Sequence, residues 1–364
     1  MKIPPVEVIA NWPKPNYINP ETRAPAGRVT GSILLVLATI ILVIRLYSRK
    51  NLTKGCGLDD LLICLAYLPA AAFTIAGIIT QEEFGWARHI WDIEPKFFEI
   101  NIILTLIHLF LFDLATSLTK LSMLAMVRRL TAVSNNKLEN AAVLTLAILI
   151  TANCFIFIMV EIFQCRPVSS AWMLQGGSHN CIDEEAHLMA ANVINTATDF
   201  AVVLLPIQTA MRARLSARQR TIVISLFGIG LIGSAAGISR TYFTWNQFYA
   251  ANYDVTWRAW YVWVSSLIEL HLGIICASVP ATKPFFTSFT QRRKISPAVL
   301  PLSPPSPIPY TQEEISGLQA PLPLFIDKST FTRRSSPSIT STNKTDSFAS
   351  PQRSPVSIAG SNTP

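Results

Sequence analysis

Among the ionisable side chains inside otherwise apolar stretches of this chain are Asp113, Lys120, Asp199, Arg240, Glu269 and His271. At bilayer depth such groups cost about 2.5–3.5 kcal/mol each on insertion scales, so each needs a partner or a task. Three tasks are open to them: interhelical ion pairs, contacts to a ligand, or a path for protons or ions. Asp113, Ser117 and Lys120 share one helical face, because seven residues are close to two turns. Lys120 stands roughly 12 Å from Arg128, and Asp199 roughly 18 Å from Met211, at ~1.5 Å per helical residue. A lysine stem spans that difference, so Lys120 and Asp199 form the candidate intramembrane ion pair. Arg240 can meet Glu161 or Glu269. Asp113, Arg240, Glu269 and His271 are the candidate lining of a ligand cavity.

Other chemistries fit poorly. A zinc hydrolase needs three convergent ligands and an open position, and the five histidines form no HxxxH or HExxH pair. There is no CxxC and no Gly-rich phosphate loop. No catalytic or metal residue is therefore assigned, and the chain is not expected to be an enzyme. Retinal would need a lysine deep in the seventh apolar segment, where there is none, so no cofactor is expected.

These residues must be positioned by seven apolar segments, roughly 29–47, 58–80, 99–126, 140–163, 187–211, 220–243 and 260–282. Each is near the ~20 residues that cross the hydrocarbon core as a helix. The expected fold is an all-α membrane protein, a seven-transmembrane helix bundle. Half of the 364 residues are hydrophobic and 14% are charged, against roughly 25% charged in soluble domains. Arg49, Lys50 and Lys54, then Arg128, Arg129 and Lys137, then Arg212, Arg214, Arg218 and Arg220, fall in alternate loops. By the positive-inside rule these loops are cytosolic, which puts the N-terminus outside and the C-terminus inside. The same rule accounts for the net charge of +8 without nucleic acid. Gly233 and Gly237 form a GxxxG step, read as close packing within the bundle. Trp257, Trp260, Tyr261 and Trp263 read as an interfacial aromatic belt.

Residues 1–26 hold six prolines and no apolar core, and read as a short extracellular tail. The membrane domain covers 27–290. Residues 291–364 form a Ser/Pro-rich stretch expected to be a disordered cytosolic tail, in which Arg333-Arg-Ser-Ser-Pro337 makes Ser335 and Ser336 the candidate phosphorylation sites. Cys165 and Cys181 are the cysteines of one outer loop, an oxidising setting, and are expected to pair.

Several stretches together resemble the fungal seven-helix rhodopsin-like domain family, which includes Pth-type receptor-like proteins and a membrane protein of the satratoxin gene cluster. They are Gly57-Leu-Asp-Asp60, Phe84-Gly-Trp-Ala-Arg-His-Ile-Trp91, Leu118-Thr-Lys-Leu-Ser-Met123, Phe163-Gln-Cys-Arg-Pro-Val168, Leu204-Leu-Pro206, Ser239-Arg240 and Ala277-Ser-Val-Pro280. The resemblance covers about residues 27–290. It implies a receptor-like protein of the plasma membrane. No cysteine precedes Cys56, so the extracellular cysteine-rich module of many relatives is missing, and span 3 ends in Val127-Arg-Arg129 rather than the DRY of animal receptors. The expected function is sensing of a small extracellular ligand, with the lipid bilayer and a heterotrimeric G protein as partners. The alternative is an accessory or transport protein of a secondary-metabolite, mycotoxin-type pathway.

Overall fold

The computed structural model describes residues 5–131, 137–173, 180–212, 217–249 and 253–294, with backbone alone at 130–131, 206–212, 217–227, 283 and 286–294. Seven helices of 24 to 40 residues dominate the described residues: α1 (Ala24–Tyr47), α2 (Leu58–Glu83), α3 (Phe98–Thr131), α4 (Lys137–Ile162), α5 (Glu184–Arg212), α6 (Ala217–Tyr249) and α7 (Val255–Lys294). Six of them, all but α6, are long and apolar enough over the described residues to cross a membrane. Each packs on its neighbours in sequence, α7 returns to α1, and α7 also meets α2 and α3 across the middle. The helices continue through Pro69 in α2 and Pro206 in α5, so neither proline breaks a span.

The side chains sort as lipid would require. On α1, Val29, Ile33, Val36, Ile40 and Val43 point outward, as do Leu144, Ile148, Phe155 and Ile156 on α4. In water this exposed apolar surface would be costly; in hydrocarbon it is the solvated face. The interior uses small residues where helices close up: Ala38, Ala66, Ala70, Ala115 and Ala277 are fully buried. Such residues let backbones approach, and dispersion then does the packing that the hydrophobic effect cannot do in lipid. A Cβ at Gly77 would fall within the Trp263 indole, and one at Gly230 would lie 2.9 Å from Val203. Gly237 likewise leaves room for Glu269 Oε2, 3.1 Å from where its Cβ would stand. Gly237 therefore serves packing inside the bundle.

The N-terminal tail is more than an extended strand. Val6–Ala10 makes a helical turn, Trp12 packs on Trp91, and Asn16 N donates to Asp92 Oδ1 at 2.9 Å. Arg23 N donates to Ala87 O. The Arg23 guanidinium lies over Trp257 and Tyr261, 3.7 and 4.4 Å from their ring centroids. These two aromatics thus hold the tail, and Trp263 is buried in the core. The α2–α3 loop is pinned to α7 by His89 Nδ1 and Ile90 N, both bonded to Asp254, with His89 stacked between Trp91 and Trp257. Cys165 and Cys181 form a disulfide across a short two-stranded pairing.

The opposite end is locked by charge. Arg45 is fully buried and donates to Asp60 Oδ1 at 2.9 Å, Asp59 Oδ2 at 2.8 Å and the Ala277 carbonyl at 2.6 Å. Arg49 adds a bond to Asp59 at 3.0 Å, Ser122 donates to the Asp59 carbonyl, and Arg129 reaches Asp59 at 3.5 Å. Asp60 also caps α2 by accepting from Gly57 N. One acidic dipeptide thereby joins α1, α2, α3 and α7. Ser335 and Ser336 lie outside the described residues.

Candidate functional site

Between the two ends runs a layer of buried polar side chains from α3, α5, α6 and α7. Lys120 Nζ lies 3.1 Å from Asp199 Oδ1. It also donates to Asn195 Oδ1 at 2.7 Å, the Asn195 carbonyl at 2.9 Å and Thr198 Oγ1 at 2.9 Å. Asn195 Nδ2 donates in turn to Glu269 Oε1 at 2.6 Å. Arg240 Nε meets Glu269 Oε2 at 3.0 Å, its Nη1 donates to Asn192 Oδ1, and its guanidinium lies over the Phe112 ring at 4.5 Å. The layer holds two cations and two anions, so its charges balance. Buried charges persist only when paired and hydrogen-bonded in this way.

The layer separates two cavities. The larger, of about 150 Å³, opens toward the end that carries the tail, and Arg240 and Asn192 line it from the layer side. Its walls include six aromatic rings: Phe73, Trp86, Phe112, Phe248, Tyr253 and Trp263. The smaller, of about 40 Å³, lies on the other side against Lys120, Asp199, Glu269, Gly230 and Gly233.

Of the four residues expected to line a ligand cavity, Arg240 borders the larger one. Glu269 borders the smaller one and faces the larger only through Arg240. His271 is fully buried, with Nδ1 on the Leu267 carbonyl at 2.8 Å and Nε2 at 3.4 Å from Thr74 on α2; the turn of α7 carries it into the core. Asp113 faces Cys154 on α4, away from both cavities. Arg240 pairs with Glu269, and Glu161 takes no part. Asn192 and Asn195, which join the layer together, carry no charge and so do not stand out in a search for ionisable groups. His108 lines the larger cavity; as a lone histidine in an apolar run it looks like any core residue.

Helices with lipid-facing apolar surfaces around a charged interior define a multi-pass membrane protein. Comparison with known proteins names its family: the model of the fungal rhodopsin domain matches residues 44–288, well over half the chain, and the protein belongs to that family. It is similar to the Wortmanamides biosynthesis cluster protein C of Talaromyces wortmannii, 24% identical over 276 residues that cover 71% of this chain and 69% of that one. A SAT4 family membrane protein of Emericella nidulans is 28% identical over 130 residues, 36% of this chain and 31% of that one. The Fugralins biosynthesis cluster protein 2 of Gibberella zeae is 22% identical over 249 residues, 66% and 61% of the two chains.

Proposed function

We propose that this protein is a seven-span sensor of the plasma membrane, which binds a small ligand from outside and signals inward. The tail end faces out and the end carrying Arg45, Arg49 and Arg129 faces the cytosol, in keeping with the positive-inside rule. The observation that carries the reading is the floor of the larger cavity. Arg240 touches the space a ligand would fill and belongs to a hydrogen-bonded layer drawn from four helices. A ligand that prefers one arrangement of that layer shifts the population of bundle states. The shift then reaches the Asp59–Arg129 contact at the inner end through α3, which carries both Lys120 and Arg129. The cavity needs no cofactor and the layer no catalytic role; a heterotrimeric G protein is the proposed partner. The test is nucleotide exchange on the host Gα subunits in membranes with and without the protein, including Lys120→Ala as a released form. Exchange raised by either version supports sensing; no change with folded protein present removes G-protein coupling.

Two relatives are named for biosynthesis clusters, and this favours a second reading, an accessory or transport protein of a secondary-metabolite pathway. Two cavities facing each other across one charged layer also suit a path that opens to each side in turn. Solute flux that fails in Glu269→Gln would select this reading.

A further inference from the structure

Resting on the reading of the larger cavity as a ligand site, we propose that it takes a neutral, single-ring aromatic compound that donates a hydroxyl hydrogen bond to His108 Nε2. The tautomer of His108 follows from its neighbours. Nδ1 lies 2.6 Å from the Leu104 carbonyl oxygen, which can only accept, so Nδ1 carries the proton and Nε2 presents a bare lone pair. His108 is 8% exposed, and Nε2 is buried with no hydrogen-bond partner. The ring is held edge-on by Phe73 at 5.4 Å and parallel to Trp86 at 6.2 Å, two residues that line the same cavity.

Three hydroxyls near it agree on the sign. The hydroxyls of Thr105, Thr244 and Ser266 line the cavity, and each donates to the carbonyl four residues back, at 2.8, 2.9 and 2.8 Å. Their protons are spent, so they offer an occupant acceptors only. Arg240 already gives Nε and Nη2 to Glu269 and Nη1 to Asn192. An anionic ligand would compete with Glu269 for a guanidinium whose charge is already balanced, and a cationic one would meet that guanidinium. Neutral charge and a donor remain. A cavity of about 150 Å³ is the size at which an apolar site holds one benzene ring.

The test is isothermal titration of the full-length protein in lipid nanodiscs with phenol, anisole, benzoate and benzylamine, referenced to empty nanodiscs. Phenol is expected to bind about tenfold tighter than anisole, the gain from satisfying one buried acceptor. Benzoate and benzylamine are expected to bind more weakly than either. In His108→Phe, which keeps the aromatic plate and removes the acceptor, phenol and anisole should bind alike. The wild-type ratio stands without the variant should that variant misfold. Equal binding of phenol and anisole, a preference that survives His108→Phe, or benzoate binding tightest would overturn the hydroxyl-donor assignment while leaving the cavity as a ligand site. No binding of any of the four would overturn both.

Discussion

Breaking the Arg240–Glu269 pair should cost far more than removing it whole. Arg240→Met leaves Glu269, 5% exposed, with one remaining donor, Asn195 Nδ2, and strips Asn192 of the bond it accepts. Glu269→Gln leaves the guanidinium buried against Phe112 without its counter-charge. Each single change should destabilise by about 3–5 kcal/mol, the usual cost of an orphaned buried charge. The double variant restores neutrality and loses only hydrogen bonds, each worth about 0.6–1.7 kcal/mol inside a membrane protein. The coupling between the two sites should then reach about 3 kcal/mol. Equilibrium unfolding by SDS in mixed micelles, followed by far-UV circular dichroism, measures all four proteins. The coupling should also persist in 1 M salt, where an exposed pair would be screened. Additive losses within about 0.5 kcal/mol would refute the layer as an electrostatic unit.

Three further outcomes follow from the packing. Cys165→Ser should lower stability by about 3 kcal/mol, the chain-entropy value for a loop of this size, and a reducing agent should lower the melting temperature of the wild type but not of the variant. Gly77→Ala places a methyl group within the Trp263 indole and should cost about 1–3 kcal/mol by the same unfolding assay; a neutral result would mean α2 and α7 are less closely packed. Arg45→Met should destabilise by about 3–5 kcal/mol, because it removes the fully buried cation from the cluster and leaves Asp59 and Asp60 to share Arg49, whereas Arg129→Ala, whose side chain is 45% exposed, should change stability by under about 1 kcal/mol.

What sequence could reveal here depends on whether depth or rotation decides. Depth comes from counting residues, so the Lys120 and Asp199 levels, and with them the pair at 3.1 Å, were accessible. Rotation about a helix axis needs an amphipathic stripe, and a helix solvated by lipid has little polarity contrast to supply one. His271 and Asp113 therefore look like cavity residues in the sequence and turn to α2 and α4 in the fold. Arg240 left two acids open, Glu161 and Glu269, for the same reason. Arg45 sits at the edge of the first apolar segment, beside the basic loop residues Arg49 and Lys50, where nothing in the sequence sets it apart from them; the fold buries it completely against Asp59 and Asp60. Asn192, Asn195 and His108 were illegible because an amide or a lone histidine shows its role only beside its neighbours.

The central claim is that the charged layer closes the larger cavity from the inner side while leaving it open to the outside. In a background with Cys56, Cys64, Cys154 and Cys276 replaced, Thr244→Cys stands in the larger cavity and Ser234→Cys in the smaller one. The most direct measurement is labelling of each in intact cells with a membrane-impermeant maleimide. Thr244→Cys should react from outside, more slowly in the presence of a ligand, and Ser234→Cys should stay unlabelled until the layer is opened by Lys120→Ala. Labelling of both in the otherwise intact protein, or of Ser234→Cys alone, would contradict the account.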